Sequence, residues 1–115
     1  MTDFPQRYKE LQSLVAAFGK ENAGVAGGFG RMHAAAVGAG ALDAKTKELM
    51  SLAIGIAVHC EGCIAYHVHD ALAAGATRPE IIETIGVAVM MGGGPGLMYG
   101  CEALEALDQF GRAQT

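Results

Sequence analysis

The stretch "AKTKELMSLAIGIAVHCEGCIAYHVHDALAAG", residues 44–75, reads as two helices meeting at a corner. Asp43 stands where an N-cap belongs, because its carboxylate can accept an orphan backbone N–H of the first turn. Beyond Glu48 the residues up to His59 are apolar nearly all round, the pattern of a central, buried helix whose polar start is its solvent end. After the "CEGC" segment, apolar residues again recur three and four apart until Gly75, a natural helix stop. Two adjoining segments of this kind, with no period-two alternation between them, predict an all-α fold.

The flanking sequence extends the same pattern. "RYKELQSLVAAFGK" carries Tyr8, Leu11, Leu14, Val15 and Phe18 on one face and is expected to stop at Gly19; "FGRMHAAAVGAG" suggests a second helix after a glycine-loosened link. In "TRPE", Thr77 can cap, Pro79 fits a first turn and Glu80 completes a capping box, so "IIETIGVAVMM" is predicted as the next helix. "GGGPG" reads as a turn, and "LMYGCEALEALDQF" as a last helix ending near Gly111. The expected architecture is one domain over residues 1–115 with about six helices. No repeat or low-complexity linker interrupts it. The glycine run follows no strand and lacks the Lys-Ser/Thr ending of a phosphate loop.

Composition narrows the function classes. The chain has 115 residues, of which 51% are hydrophobic and only 17% charged, against about 25% charged in an ordinary soluble domain. A chain this short hides little apolar surface by itself, so part of that surface is expected to face another subunit. The net charge of −4 leaves no basic stripe for phosphates, which disfavours nucleic acid and anionic membranes as partners. "TIGVAVMMGGGPGLMYGC" approaches membrane-spanning length, but its glycine-proline centre should break a helix there. The opening "MTDFPQRYKELQ" has no apolar export core, so the chain is expected in the cytoplasm. Three cysteines, an odd number in a reducing compartment, favour a metal site or reactive thiols over a disulfide framework.

Those thiols sit in the corner. At about 100° per residue, Cys60 and Cys63 lie about 60° apart on a helix, and Cys63 and His67 about 40° apart. All three share a face, and a helix starting near Cys60 favours thiolate over thiol through its positive dipole end. A cysteine pair at this spacing can close a disulfide. Cys60, Cys63 and His67 also offer three zinc ligands, with His59, His69 or Glu48 as a fourth, although no second Cys/His pair is present to complete the usual two-segment site. Buried, inert packing is the third reading. Glu48 is either a proton-exchanging carboxylate in apolar surroundings or a first-turn acid favoured by the dipole. His69 should point away from the Cys63 and His67 face, toward solvent or a subunit contact. His59 belongs to the turn, His33 to packing or a pocket wall, and Cys101 to buried filler in the last helix.

Glu48, eleven residues, Cys60, two residues, Cys63, three residues, His67: this spacing resembles the signature of the AhpD-like alkylhydroperoxidases in the carboxymuconolactone decarboxylase superfamily. The resemblance runs from about "GRMHAAAV" to "MMGGGPGLMYGCEAL". It implies an all-α fold of antiparallel helices assembled as trimers or hexamers, without a cofactor or metal. It further implies a hydroperoxide substrate, a dithiol reductant, Cys63 as the attacking thiol, Cys60 as its resolving partner, and Glu48 with His67 as a proton relay. The chain departs from the AhpD pattern at Gly62, where AhpD proteins carry a histidine; His59 is the nearby substitute. Two alternatives stand beside a thiol peroxidase: a decarboxylase-type enzyme working without thiol cycling, and a noncatalytic, zinc-stabilised oligomeric module.

Overall fold

In the computed structural model, which describes residues 1–113, each helix begins where a side chain can satisfy its first free N–H groups. Helix α1, Phe4–Glu21, is capped by Asp3, whose side chain accepts from the Gln6 amide. Helix α2, Ala23–Val37, is capped by Asn22 through the Val25 amide. Helix α3, Ala44–Ala57, takes the expected cap from Asp43 to the Thr46 amide at 2.7 Å. Helix α4, Glu61–Ala73, is capped by Cys60. Helix α5, Arg78–Ala113, opens on the predicted capping box, with Thr77 and Glu80 each accepting the other's backbone N–H.

The fold is all-α, with five helices rather than six. "GGGPG" holds the expected turn, confined to Gly93, whose φ of 66° and ψ of −149° lie in a region open essentially to glycine, with helix on both sides of it. That one residue folds α5 back on itself. Gly96 then lies against Ala88 and Val89, and Gly100 against Ile85 and Val89, so the two arms run antiparallel in close contact. Pro95 falls in the first turn after the break, where its missing N–H costs nothing. Arg78–Arg112 is long and apolar enough to cross a bilayer by length and composition, but the reversal at Gly93 halves its reach.

Two other boundaries differ from the sequence reading. Helix α1 passes Gly19 to Glu21, because Asn22 closes one helix and caps the next: its N–H donates to the Phe18 carbonyl while its side chain accepts from Val25. The expected second helix therefore begins six residues earlier than "FGRM" implied.

The core lies where α3, α4 and α5 pack together, around Leu52, Ile56, Ile64, Val68, Ile81 and Leu107, with Phe4 inserted from α1. Coverage stops there. The α1 stripe is buried only at Phe4, while Leu14, Val15 and Phe18 are exposed. No residue of α2 is buried, and α3 exposes Met50 and Ile54 on its outer face, with Val58 open just after it, instead of being enclosed all round.

Candidate active site

The corner between α3 and α4 places the cysteines. His59 adopts φ of 62°, the left-handed conformation that ends a helix. Its N–H donates to the Ile56 carbonyl and the Cys60 N–H to the Gly55 carbonyl, the paired bonds of a Schellman motif. His59 thus terminates α3, and its ring stacks on Tyr99 at 4.8 Å. The chain turns immediately, so Cys60 becomes the N-cap of α4 and Cys63 its third residue. The Cys63 N–H donates to Cys60 Sγ at 3.1 Å, and the two cysteines form a disulfide with their Cα atoms 5.2 Å apart. This is the positive end of the helix dipole, where a sulfur anion released by reduction is favoured.

One turn further along α4, the His67 Nδ1–H donates to Glu48 Oε2 across the α3–α4 interface at 2.8 Å. Glu48 is only 6% exposed and is the buried charged residue of the described structure. Of the two roles open to Glu48 in the sequence, the exposed first-turn acid is therefore excluded. By accepting from Nδ1, its carboxylate fixes the imidazole tautomer and leaves Nε2 as the basic nitrogen. A carboxylate and an imidazole in this arrangement can hold, take and return a proton.

A cavity of about 430 Å³ opens beside the disulfide. Leu11, Val15 and Phe29 supply its apolar wall from α1 and α2; His33, Tyr66, His67 and Asp70 bring the polar groups. His33 therefore lines a pocket, and its ring stacks between those of Phe29 and His67 at 6.4 and 6.3 Å. Gly62, the departure from the AhpD pattern, also faces the cavity; a Cβ there would meet the tip of Leu11 at 3.3 Å.

Asp70 was absent from the sequence reading, although its place three residues after His67 on one helix was the available signal. Oxygen and nitrogen atoms of Glu48, His67 and Asp70 come within 4.8 Å of one another, close enough to share a metal ion. The cysteines considered as zinc ligands are instead joined to each other. Asp70 Oδ1 accepts from His69 Nδ1 at 2.9 Å. His69 packs within the chain on one side, stacking on Tyr8 at 4.1 Å and meeting Phe110 edge-on, and keeps about a third of its side chain exposed. Burial first, then the nearby Asp70 charge, push the Tyr8 and Tyr66 hydroxyls above their ordinary values. Cys101 is exposed on α5, not buried filler, because the last arm of α5 presents that side outward.

Residues 23–106 match the profile of the carboxymuconolactone decarboxylase family. Among curated proteins, an uncharacterised protein of Cupriavidus necator is 34% identical over 107 residues, covering 93% of this chain and 95% of that one. A protein of the cox locus of Paracoccus denitrificans is 40% identical over 70 residues, or 61% and 63% of the two chains. Among solved structures, a carboxymuconolactone decarboxylase family protein from Legionella pneumophila superposes with a TM-score of 0.89 at 46% identity, covering 93% of this chain and 96% of its own. A Thermotoga maritima protein of the same family, described with a suggested involvement in the antioxidative response, superposes at 0.85 with 26% identity, over 93% and 92%.

Proposed function

The chain belongs to the carboxymuconolactone decarboxylase family, and from that membership and its site we propose that it is a thiol-dependent hydroperoxide reductase cycling through a Cys60–Cys63 disulfide. One observation carries the reading. A cysteine pair at a helix start and an imidazole held from behind by a buried carboxylate face the same apolar cavity.

In the reduced protein, His67 Nε2 takes the Cys63 proton, and the dipole of α4 favours the thiolate that results. The sulfur attacks the terminal oxygen of R–O–O–H. An S–O bond forms as the O–O bond breaks, and the departing alkoxide takes the proton back from His67 to leave as an alcohol. Cys63 is then a sulfenic acid. The Cys60 thiolate attacks its sulfur; the S–S bond forms, the S–O bond breaks, and hydroxide leaves as water with the proton given up by Cys60. An external dithiol restores both thiols by exchange. Glu48 holds the imidazole in its working tautomer and balances the imidazolium. No bound cofactor is needed for these steps, and a reducing cytoplasm suits them. The protein works as a homo-oligomer, a trimer or hexamer, in which neighbouring copies cover its exposed helices.

The two cysteines are predicted to fail differently. Cys63→Ser abolishes peroxide consumption, because a serine hydroxyl does not ionise near neutrality. Cys60→Ser allows one turnover and leaves a sulfenic acid on Cys63 for want of a resolving thiol. A dimedone-type label after a single peroxide pulse, located by mass spectrometry, reads the difference. Adduct on Cys60 of the Cys63→Ser protein, with none on Cys63 of the Cys60→Ser protein, would invert the assignment.

A further inference from the structure

We infer that Asp70 makes this cavity selective for uncharged organic hydroperoxides and turns away those whose tail carries a carboxylate; the inference rests on the peroxidase reading and narrows its substrate. The cavity, at about 430 Å³, falls in the size range of small-molecule pockets, about 300–1,000 Å³. Its apolar wall of Leu11, Val15 and Phe29 suits a hydrocarbon tail and leaves the peroxide group for the sulfurs. No lysine or arginine among the described residues lines it.

The charge balance within the cavity is negative. Glu48 is matched by the His67 imidazolium when the relay holds its proton, and the pair is then neutral. Asp70 has an imidazole neighbour of its own: it accepts from His69 Nδ1, a bond that neutral imidazole supplies without cancelling the carboxylate's charge. His33 is the remaining group of the wall able to carry a positive charge. Outside the wall, the Arg7 guanidinium is engaged with Glu10 and Glu61. In the reduced enzyme the thiolate adds a further negative charge to the wall that Asp70 shares. A carboxylated substrate entering this space meets like charge beside an apolar wall and finds no lysine or arginine on it to replace the water it gives up. A neutral tail of the same shape meets neither obstacle.

The test is a matched series on the full chain, reduced with a dithiol: cumene hydroperoxide, its para-carboxylate and the methyl ester of that carboxylate. The expected kcat/KM for the ester exceeds that for the carboxylate by about tenfold at low salt, and the ratio shrinks toward about 0.5 M salt as the charges are screened. Asp70→Asn keeps an oxygen to accept from His69 and should cut the ratio about threefold, whatever the variant's absolute rate; Asp70→Glu should preserve it. Equal rates on ester and carboxylate by the native protein would overturn the inference and leave the peroxidase reading standing, as would a ratio that Asp70→Asn does not move. A native protein inert to all three peroxides, cumene hydroperoxide included, would remove the peroxidase reading and this inference with it.

Discussion

Glu102, on the second arm of α5, has one carboxylate oxygen, Oε2, that reaches neither solvent nor a hydrogen-bond partner among the described residues. Its burial, and after that the charges of Glu61 and Glu105, raise its proton affinity above the ordinary carboxylate value of 4.5. A carboxyl group that binds its proton more tightly in the folded chain contributes stability that is complete below the unfolded value and is lost as pH rises through the folded one. Glu102 therefore works against the fold at neutral pH. Glu102→Gln is expected to raise the melting temperature at about pH 7 and to lose that advantage toward about pH 4, where the native carboxyl is protonated as well. Thermal melts at both pH values check this; an advantage of equal size at each would show that charge is not its source. Glu48 contrasts with it. This carboxylate is more deeply buried, but it has an imidazole to bond.

At the scale of elements, α3 and α4 approach so closely that a side chain at residue 55 has no room. A Cβ on Gly55 would lie 2.9 Å from the Cys63 Cβ, closer than two such carbons pack. The same glycine's carbonyl accepts from Cys60 in the Schellman turn, so one residue of α3 sets the position of both cysteines. Gly55→Ala is expected to destabilise the fold by about 1–3 kcal/mol through overpacking and to slow disulfide closure by displacing Cys63 from Cys60. Urea unfolding and the rate of oxidation by a single peroxide pulse measure the two effects; a variant matching the native protein in both would mean that the helices separate without cost. Helix α2 sits at the other extreme. With no buried residue, it is held against α1 and α3 by partial contacts, yet it supplies Phe29 and His33 to the cavity.

Across the whole molecule, the exposed apolar side chains are too many to be scattered surface residues. Leu14, Val15 and Phe18 of α1, Val25 and Met32 of α2, Met50 and Ile54 of α3 and Val58 just after it lie open, as do Met90, Met91 and Met98 beside the bend of α5. Monomeric domains rarely leave contiguous apolar surface of such extent in water. The expected outcome of multi-angle light scattering at micromolar concentration is a homo-oligomer of three or six chains. A stable monomer would contradict the proposed assembly and leave this surface without an account.

Much of this was legible along the chain because it depends on short-range chemistry. Asp43, Thr77 and Glu80 cap helices by reaching backbone groups two or three residues away, and helical spacing alone puts Cys60, Cys63 and His67 on one face. The spacing of Glu48 to that trio carried the family resemblance. What sequence did not determine depends on how separate helices approach. It left Glu48 between two roles, and packing of α3 on α4 decided by burying it against His67. It marked "GGGPG" as a turn without singling out the residue that makes it, because five turn-forming residues look alike until the antiparallel contact of the two α5 arms requires a positive φ at Gly93 alone. It took Cys101 as buried and passed over Asp70, since helical periodicity ranks the faces of one helix and is silent on which face a neighbour will cover. Local hydrogen bonding and periodicity determined the helices and put the two cysteines on one face; only tertiary packing, which brings residues distant in sequence within a few ångströms, decided what surrounds them.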